Sequence, residues 1–359
     1  MIYKNNKQLR SSKPFFSICI PQYNRTSFLK KALKSFNFQK FKSFEVCISD
    51  GGSTDGRWQE IVSYLEECDF KYIFSRSETN LQYDCNLRAS IELATGNYCL
   101  LMGNDDEFID ENVLFDINAM IVLYMSPGVV ITNYKENSTN KIIRRVRKTK
   151  LYKGNVDVAV KNFRNYSFVS GVVLDQMTCR KFATNRWDGS EMYQMYLGTR
   201  IVASGLNFLS YDYKAVGKDI QIIGEEVDSY TKREKNFNIN LKPICLPLHS
   251  IGNLVVDAVV PFTPVKKMNN IIRTVFFNYL LFTYGFWIFN YREVQSWRYS
   301  AGVCFAMAPS KVMKGLKYSY ITGLYIWIVY LTVTVSGLLL PSFMFRFLRP
   351  FLYMLAKKQ

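Results

Sequence analysis

Residues 44–56 read FEVCISDGGSTDG. Phe44–Ser49 is a short apolar run of the kind that forms a buried strand, and Asp50 to Gly56 is all acids and turn formers. A helical pattern around Gln59–Cys68 follows, so the segment reads strand, polar loop, helix. The same unit occurs twice more. Phe15–Ile20 is a strand, Pro21–Arg25 a polar loop, and Phe28, Leu29, Ala32, Leu33 and Phe36 then recur at helical spacing, with Lys30, Lys31 and Lys34 on the opposite face. Tyr98–Met102 is a strand, Gly103–Asp106 a polar loop, and Val113–Tyr124 a helix. Lys71–Phe74, Val129–Thr132, Phe168–Leu174 and Asn207–Tyr211 are further strands. Asn86–Ala94 and Met192–Ala203 are further helices, the first expected to be capped by Gly96. This alternation predicts an α/β fold with a mixed, mostly parallel sheet flanked by helices.

In such a sheet, ligands bind beyond the carboxyl ends of the strands. Three loops therefore meet at one edge: Pro21-Gln22-Tyr23-Asn24-Arg25, Asp50–Gly56 and Gly103-Asn104-Asp105-Asp106. Adjacent carboxylates at a strand end raise each other's pKa unless a cation neutralises them. Hard oxygen ligands suit Mg2+ or Mn2+, which would bridge to nucleotide phosphates. A lone Asp-Asp pair is equally well an acidic helix cap, so the combination of loops carries the reading.

Four stretches resemble the family two inverting glycosyltransferases of the GT-A (Rossmann-like) fold. They are SICIPQYNR (17–25), EVCISDGGSTDG (45–56), NLQYDCNLRASIELATGNY (80–98) and CLLMGNDDEF (99–108). The Asn80, Asp84, Asn86 pattern with GNDD is similar to the abequosyltransferase-like branch that builds O-antigen and related polysaccharides. The resemblance implies a nucleotide-sugar site shaped by Pro21, Tyr23 and Asn24, with Asp50 on the base. Asn80, Asp84, Asn104 and Asp106 would complete it, Asp105 would bind the metal, and Asp55 and Gly56 would hold the second loop. Gly103 stands where many members have the first Asp of DxD, and Gln82 where Gly is usual.

Such a transfer needs a carboxylate to take the acceptor proton. The segment Arg186–Tyr193 opens a helix at a suitable distance after the acid pair, which makes Glu191 the first candidate and Asp188 the second. Asp175, Glu225 and Glu226 rank below them, and Glu191 reads equally well as a helix first-turn acid. The expected reaction is a single displacement with inversion at the anomeric carbon. A nucleotidyltransferase would carry a Gly-rich, basic phosphate loop after its first strand, which IPQYNRTS lacks. A non-catalytic membrane-associated scaffold of the same shape is the other alternative.

Lys and Arg outnumber Asp and Glu by 46 to 29, and from residue 258 onward twelve bases face one acid, Glu293. That third also holds Thr274–Tyr291 and the 28 residues Tyr318–Phe345 without a charge. Bases interleaved with apolar and aromatic runs suit an anionic membrane surface and set nucleic acid aside. Tyr318–Phe345 is long enough to span, yet both of its flanks are basic. An in-plane or re-entrant hairpin is therefore expected, a buried helix pair being the alternative. The basic run 141–153, KIIRRVRKTKLYK after Asn140, reads as a charged hairpin edge or a phosphate-contacting surface. Eight cysteines without a CxxC, and no leader-like opening, indicate buried thiols in a reducing compartment. His249 reads as a loop residue.

The expected organisation is a tail (1–14), a glycosyltransferase domain (15–240) and a helical, basic, aromatic region (241–359). Residues 270–359 would meet the cytoplasmic face of the inner (plasma) membrane, where a polyprenyl-diphosphate-linked glycan is the expected acceptor.

Overall fold

The computed structural model describes residues 1–5, 13–225, 247–294 and 296–357. Glu226, Pro243 and Cys245 lie outside them. The chain divides into two compact units, Met1–Asn155 with Arg164–Val227, and Val156–Phe163 with Asp228–Gln359.

The first unit is built on one sheet. Its strands are β1 (Ile2–Lys4), β2 (Phe16–Gln22), β3 (Phe44–Asp50), β4 (Lys71–Arg76), β5 (Tyr98–Leu101), β6 (Glu107–Phe108), β7 (Val129–Glu136), β8 (Ile142–Ile143), β9 (Lys150–Tyr152), β10 (Val172–Asp175) and β11 (Phe208–Lys218). The order is β1-β4-β3-β2-β5-β10-β7-β11-β6, with β8 on β7 and β9 on β11. Parallel pairing is confined to β4-β3-β2-β5 and to β7–β11; the other pairings among the described residues are antiparallel. The sheet is thus mixed, and its longest pairings are parallel. Helices α1 (Thr26–Asn37), α2 (Trp58–Glu67), α3 (Gln82–Glu92), α4 (Val113–Leu123), α6 (Gln176–Lys181) and α7 (Tyr193–Ala203) accompany it.

β2 and β3 are buried at every position, as strands covered on both faces must be. α1 turns Phe28, Leu29, Ala32, Leu33 and Phe36 into the core. Glu45, polar and buried in β3, is reconciled with that core by Ser17 Oγ (2.7 Å), by Thr95 N and Oγ1 (2.6 and 2.8 Å) and by Lys71 Nζ (3.1 Å). Gly96 is not a helix cap. α3 ends at Glu92, and a Cβ at Gly96 would stand 2.9 Å from the backbone of Phe16 and Ser17, so glycine here permits a close approach to β2. The basic run 141–153 is not one hairpin either, since β8 and β9 pair with different strands.

The second unit is helical. It comprises α5 (Val156–Asn162), α8 (Ile251–Val259), α9 (Met268–Tyr279), α10 (Gly285–Val294), α11 (Trp297–Ala306), α12 (Pro309–Val312), α13 (Tyr320–Leu339) and α14 (Ser342–Lys357), and a π-turn at Leu280–Tyr284 joins α9 to α10. His249 sits in a short 3-10 turn, Pro247–Ser250. Cysteines 19, 47, 68, 85, 99, 179 and 304 are free thiols, all but Cys85 buried.

Candidate active site

The carboxyl ends of β2 and β3 are in register, Gln22 opposite Asp50, and β5 runs parallel beside β2. The three polar loops therefore leave one edge together, and their side chains stitch them to each other. Asn24 adopts a left-handed backbone, φ 52°, and its Oδ1 accepts from Thr54 N (2.8 Å) and Asp55 N (3.2 Å). Asn24 N in turn donates to Ser53 Oγ (2.8 Å). Asp55 accepts from Thr26 Oγ1 (3.1 Å) and Arg57 N (3.1 Å), which ties the second loop to the starts of α1 and α2.

Asp50 is fully buried. Its Oδ1 accepts from the backbone and hydroxyl of Ser53, and its Oδ2 from Arg76 Nε (3.1 Å), whose guanidinium lies over Trp58. Gly52, φ 77°, passes so close to Thr79 that a Cβ would meet its carbonyl oxygen at 2.6 Å. Pro21 is buried within β2, whereas Tyr23 is exposed at the rim. Asn80 is also exposed, its Oδ1 accepting from Gln82 N (2.8 Å) in a local turn before α3.

In the third loop Asn104 donates from Nδ2 to Gln22 Oε1 (2.8 Å), joining loops one and three. Asp105 and Asp106 then diverge. Asp105 is partly exposed and pairs with Arg25. Asp106 is buried, and both its oxygens are engaged, Oδ2 by Ser170 Oγ and Oδ1 by Asp219 N (2.9 Å). Burial, and then the neighbouring Asp105 charge, push the Asp106 carboxyl up to about 8. The two carboxylates converge over Gly103, where a Cβ would lie 3.0 Å from an oxygen of each. A side chain at residue 103 would crowd this pair.

Asp84, buried, and Asp188, exposed, are both engaged by protein donors. Asp84 sits in α3, and its carboxylate accepts from Glu191 N (2.7 Å), Tyr193 N (3.0 Å) and Ser190 Oγ (3.3 Å), so it caps the start of α7 from a distance. Asp188 takes a two-pronged pair from Arg88, which also donates to Thr184 O (3.1 Å). Glu191 is half-buried at a left-handed turn, φ 55°. The Tyr83 hydroxyl is held well above its usual range by desolvation and then by Asp84, Glu191, Asp106 and Asp105, so these carboxylates share one electrostatic neighbourhood. Of the lesser candidates, Asp175 caps α6 through Thr178 N (2.8 Å), and Glu225 is exposed in a bridged turn with Ile222.

Two residues that the sequence reading does not single out hold this corner. Ser170 Oγ accepts from Gly103 N (2.8 Å) while donating to Asp106. Arg145 is buried, with its guanidinium donating to the carbonyls of Thr132 (2.8 Å), Phe168 (2.8 Å) and Ser170 (2.8 Å), beside the packed rings of Tyr134 and Phe168. Burial lowers it to about 10. The Ser-Gly step before β10 is the one local signal, because Gly171 has φ 76° and packs on Thr132 and Arg145.

Residues 17–174 match the family described as Glycosyl transferase family 2. This chain carries a family 2 glycosyltransferase domain. The chain is 28% identical to the abequosyltransferase RfbV of Salmonella typhimurium over 235 residues, which is 61% of this chain and 69% of that one. The fold is shared with S. aureus TarS residues 1–349 at a TM-score of 0.57 and 15% identity, over 89% and 90% of the two chains. It is shared also with a mannosyltransferase from Pyrobaculum calidifontis, solved with GDP-Man and Mn2+, at a TM-score of 0.51 and 12% identity, over 93% and 91%. The family match and the Salmonella relative support a glycosyltransferase, and the solved structures share its GT-A-like fold.

Proposed function

We propose that this glycosyltransferase moves a sugar from a nucleotide-sugar donor to a hydroxyl of a glycan in surface polysaccharide synthesis, with inversion at the anomeric carbon. The observation that carries the reading is the convergence of Asp50, Asn24, Asn104 and Asp105 at the ends of three parallel strands. Asp50, held rigid by Ser53 and Arg76, faces the donor base, and Pro21 and Tyr23 shape its surroundings. Asn24, Asn80 and Asn104 order the loops that receive the donor.

Asp105 fits a divalent cation. It is a hard oxygen donor, partly exposed, beside the buried carboxyl of Asp106. Among the described residues no cluster of three or more Asp, Glu, His or Cys accompanies it, so phosphate and water oxygens would complete the shell of Mg2+ or Mn2+. When bound, the cation supplies charge neutralisation on the leaving phosphate. Asp106 acts through the protein by fixing the loop that bears Asp105.

Glu191 is the base. Its carboxylate takes the acceptor proton as the acceptor oxygen bonds to the anomeric carbon, and the bond from that carbon to the phosphate oxygen breaks with its electron pair leaving on the nucleotide. Asp188, with both oxygens on Arg88, and Asp84, beneath the backbone of 190–193, position Glu191 rather than replace it. The Salmonella relative's name supports transfer of a sugar. The basic, apolar helical unit supports a lipid-linked acceptor, such as a polyprenyl diphosphate glycan at the cytoplasmic face of the plasma membrane.

Incubating the purified chain with a panel of nucleotide sugars, Mn2+ and polyprenyl-linked glycans tests this. Transfer giving the inverted anomer is expected. Binding of none of the donors contradicts the reading.

A further inference from the structure

α13 has no charge in twenty residues, and the protein covers only a narrow stripe of it. Thr322, Ile326, Tyr330, Val333 and Gly337 are buried, while Tyr320, Ile321, Leu324, Trp327, Ile328, Leu331, Val335 and Leu339 are exposed. The buried stripe is well made. Tyr330 stacks on Tyr284 and donates to Cys304 O (2.7 Å), and Gly337 lies against Ile288. A helix that is apolar on nearly all sides belongs in a core or in lipid. Here the core side is a minor part of its surface.

The charges around α13 say how lipid meets it. At its first end Arg273 donates to Thr322 Oγ1 (3.0 Å), and Lys317 stands two residues before Ser319, whose N donates to Asn269 Oδ1 (2.8 Å). At its second end Arg292 donates to the carbonyls of Gly337 and Leu340 (both 2.7 Å), and Arg346 pairs with Glu293. Both ends are basic. A spanning helix would send one of them to the far side of the bilayer, against the bias of bases toward the cytoplasm, whereas a helix lying flat leaves both among the anionic headgroups of one leaflet. α14 continues the pattern. Phe345 stacks on Phe289, Phe343, Phe347 and Phe351 are exposed at four-residue spacing, and Arg346 and Arg349 lie between them. That is the make-up of an interfacial helix. Exposed Tyr320, Tyr325 and Trp327 suit the same depth.

We propose that α13 and α14 dock in the plane of an anionic phospholipid leaflet, with the Ile321–Leu324–Ile328–Leu331–Val335 face in the acyl boundary and both basic ends on one side. This sharpens the membrane placement proposed above and is measured without donor or acceptor, so its failure and failure of the transfer reading are separate results.

The test is flotation of the full chain with vesicles of phosphatidylcholine alone or mixed with phosphatidylglycerol. Binding to the mixed vesicles is expected, together with a loss of about tenfold or more in Ile328→Glu/Leu331→Glu, given the apolar area withdrawn. Unchanged melting of that variant shows that the fold is intact. Lys317→Cys and Arg349→Cys should both react with an impermeant maleimide added outside sealed proteoliposomes. Reaction at only one of them means a span and overturns the in-plane docking. Failure to bind mixed vesicles, with a self-associated chain that the double variant renders monomeric, assigns the face to a second copy and overturns the proposal altogether. Equal binding by the double variant overturns the assigned face.

Discussion

The guanidinium of Arg25 sits on the carboxylate of Asp105, the residue proposed to hold the divalent cation. A bound cation and Arg25 compete for the same oxygen. Removing the arginine by Arg25→Ala should therefore tighten Mn2+ binding in the absence of donor by about fivefold, because a partly exposed ion pair contributes about 1 kcal/mol. Calorimetric titration of metal into nucleotide-free protein reads this directly, and weaker binding in the variant would place the cation elsewhere.

Ser170 and Arg145 hold the acid corner from behind. Ser170→Ala leaves Gly103 N without its acceptor and Asp106 Oδ2 without its donor, and should cost about 1–3 kcal/mol in denaturant unfolding. Arg145→Met removes the donor from two buried carbonyls and one half-buried carbonyl and should cost more, about 3 kcal/mol or above. An unchanged unfolding midpoint in either variant would show that the corner is held by other contacts.

Asp106 links stability to pH. Its folded-state pKa, about 8, lies above the ordinary carboxylate value. Between roughly pH 4 and that value the folded protein binds more protons than the unfolded chain, so stability falls as pH rises through this window. Melting of the metal-free protein should decline from pH 5 to pH 8, and Asp106→Asn should flatten the decline. A variant with the same slope as the parent would assign the effect to another group.

Glu191→Gln should keep donor binding and lower turnover by about 10²–10⁴, the range for loss of a general base. Asp188→Asn should keep measurable turnover while losing about 1 kcal/mol of stability through the Arg88 pair. The reverse ranking in single-turnover assays would move the base to Asp188.

The parallel part of the sheet and its three loops are legible in the sequence because each strand is a continuous apolar run ending in Asp, Gly and Asn. The supports of the site are not, because they are non-local. Asp188 meets an arginine one hundred residues earlier, and Asp84 caps a helix that begins at Tyr193. Arg145 stands in a run of bases whose other members are mostly solvated, and only the fold selects it for burial. β1 is three residues long, too short to show a period, and takes its place by pairing with β4. The charge-free run Tyr318–Phe345 is in fact α13 and the start of α14, divided at Leu340 and Pro341 where the helical backbone gives way to extended.

The central claim is that the corner formed by Asp50, Asn104 and Asp105 receives a nucleotide sugar together with a divalent cation. Calorimetric binding of a panel of nucleotide sugars, with and without Mn2+, to the parent chain and to Asp105→Ala measures it most directly. At least one donor should bind the parent far more tightly with Mn2+ than without, and that gain should vanish in Asp105→Ala. A donor whose Mn2+-dependent gain is intact in Asp105→Ala would contradict the account.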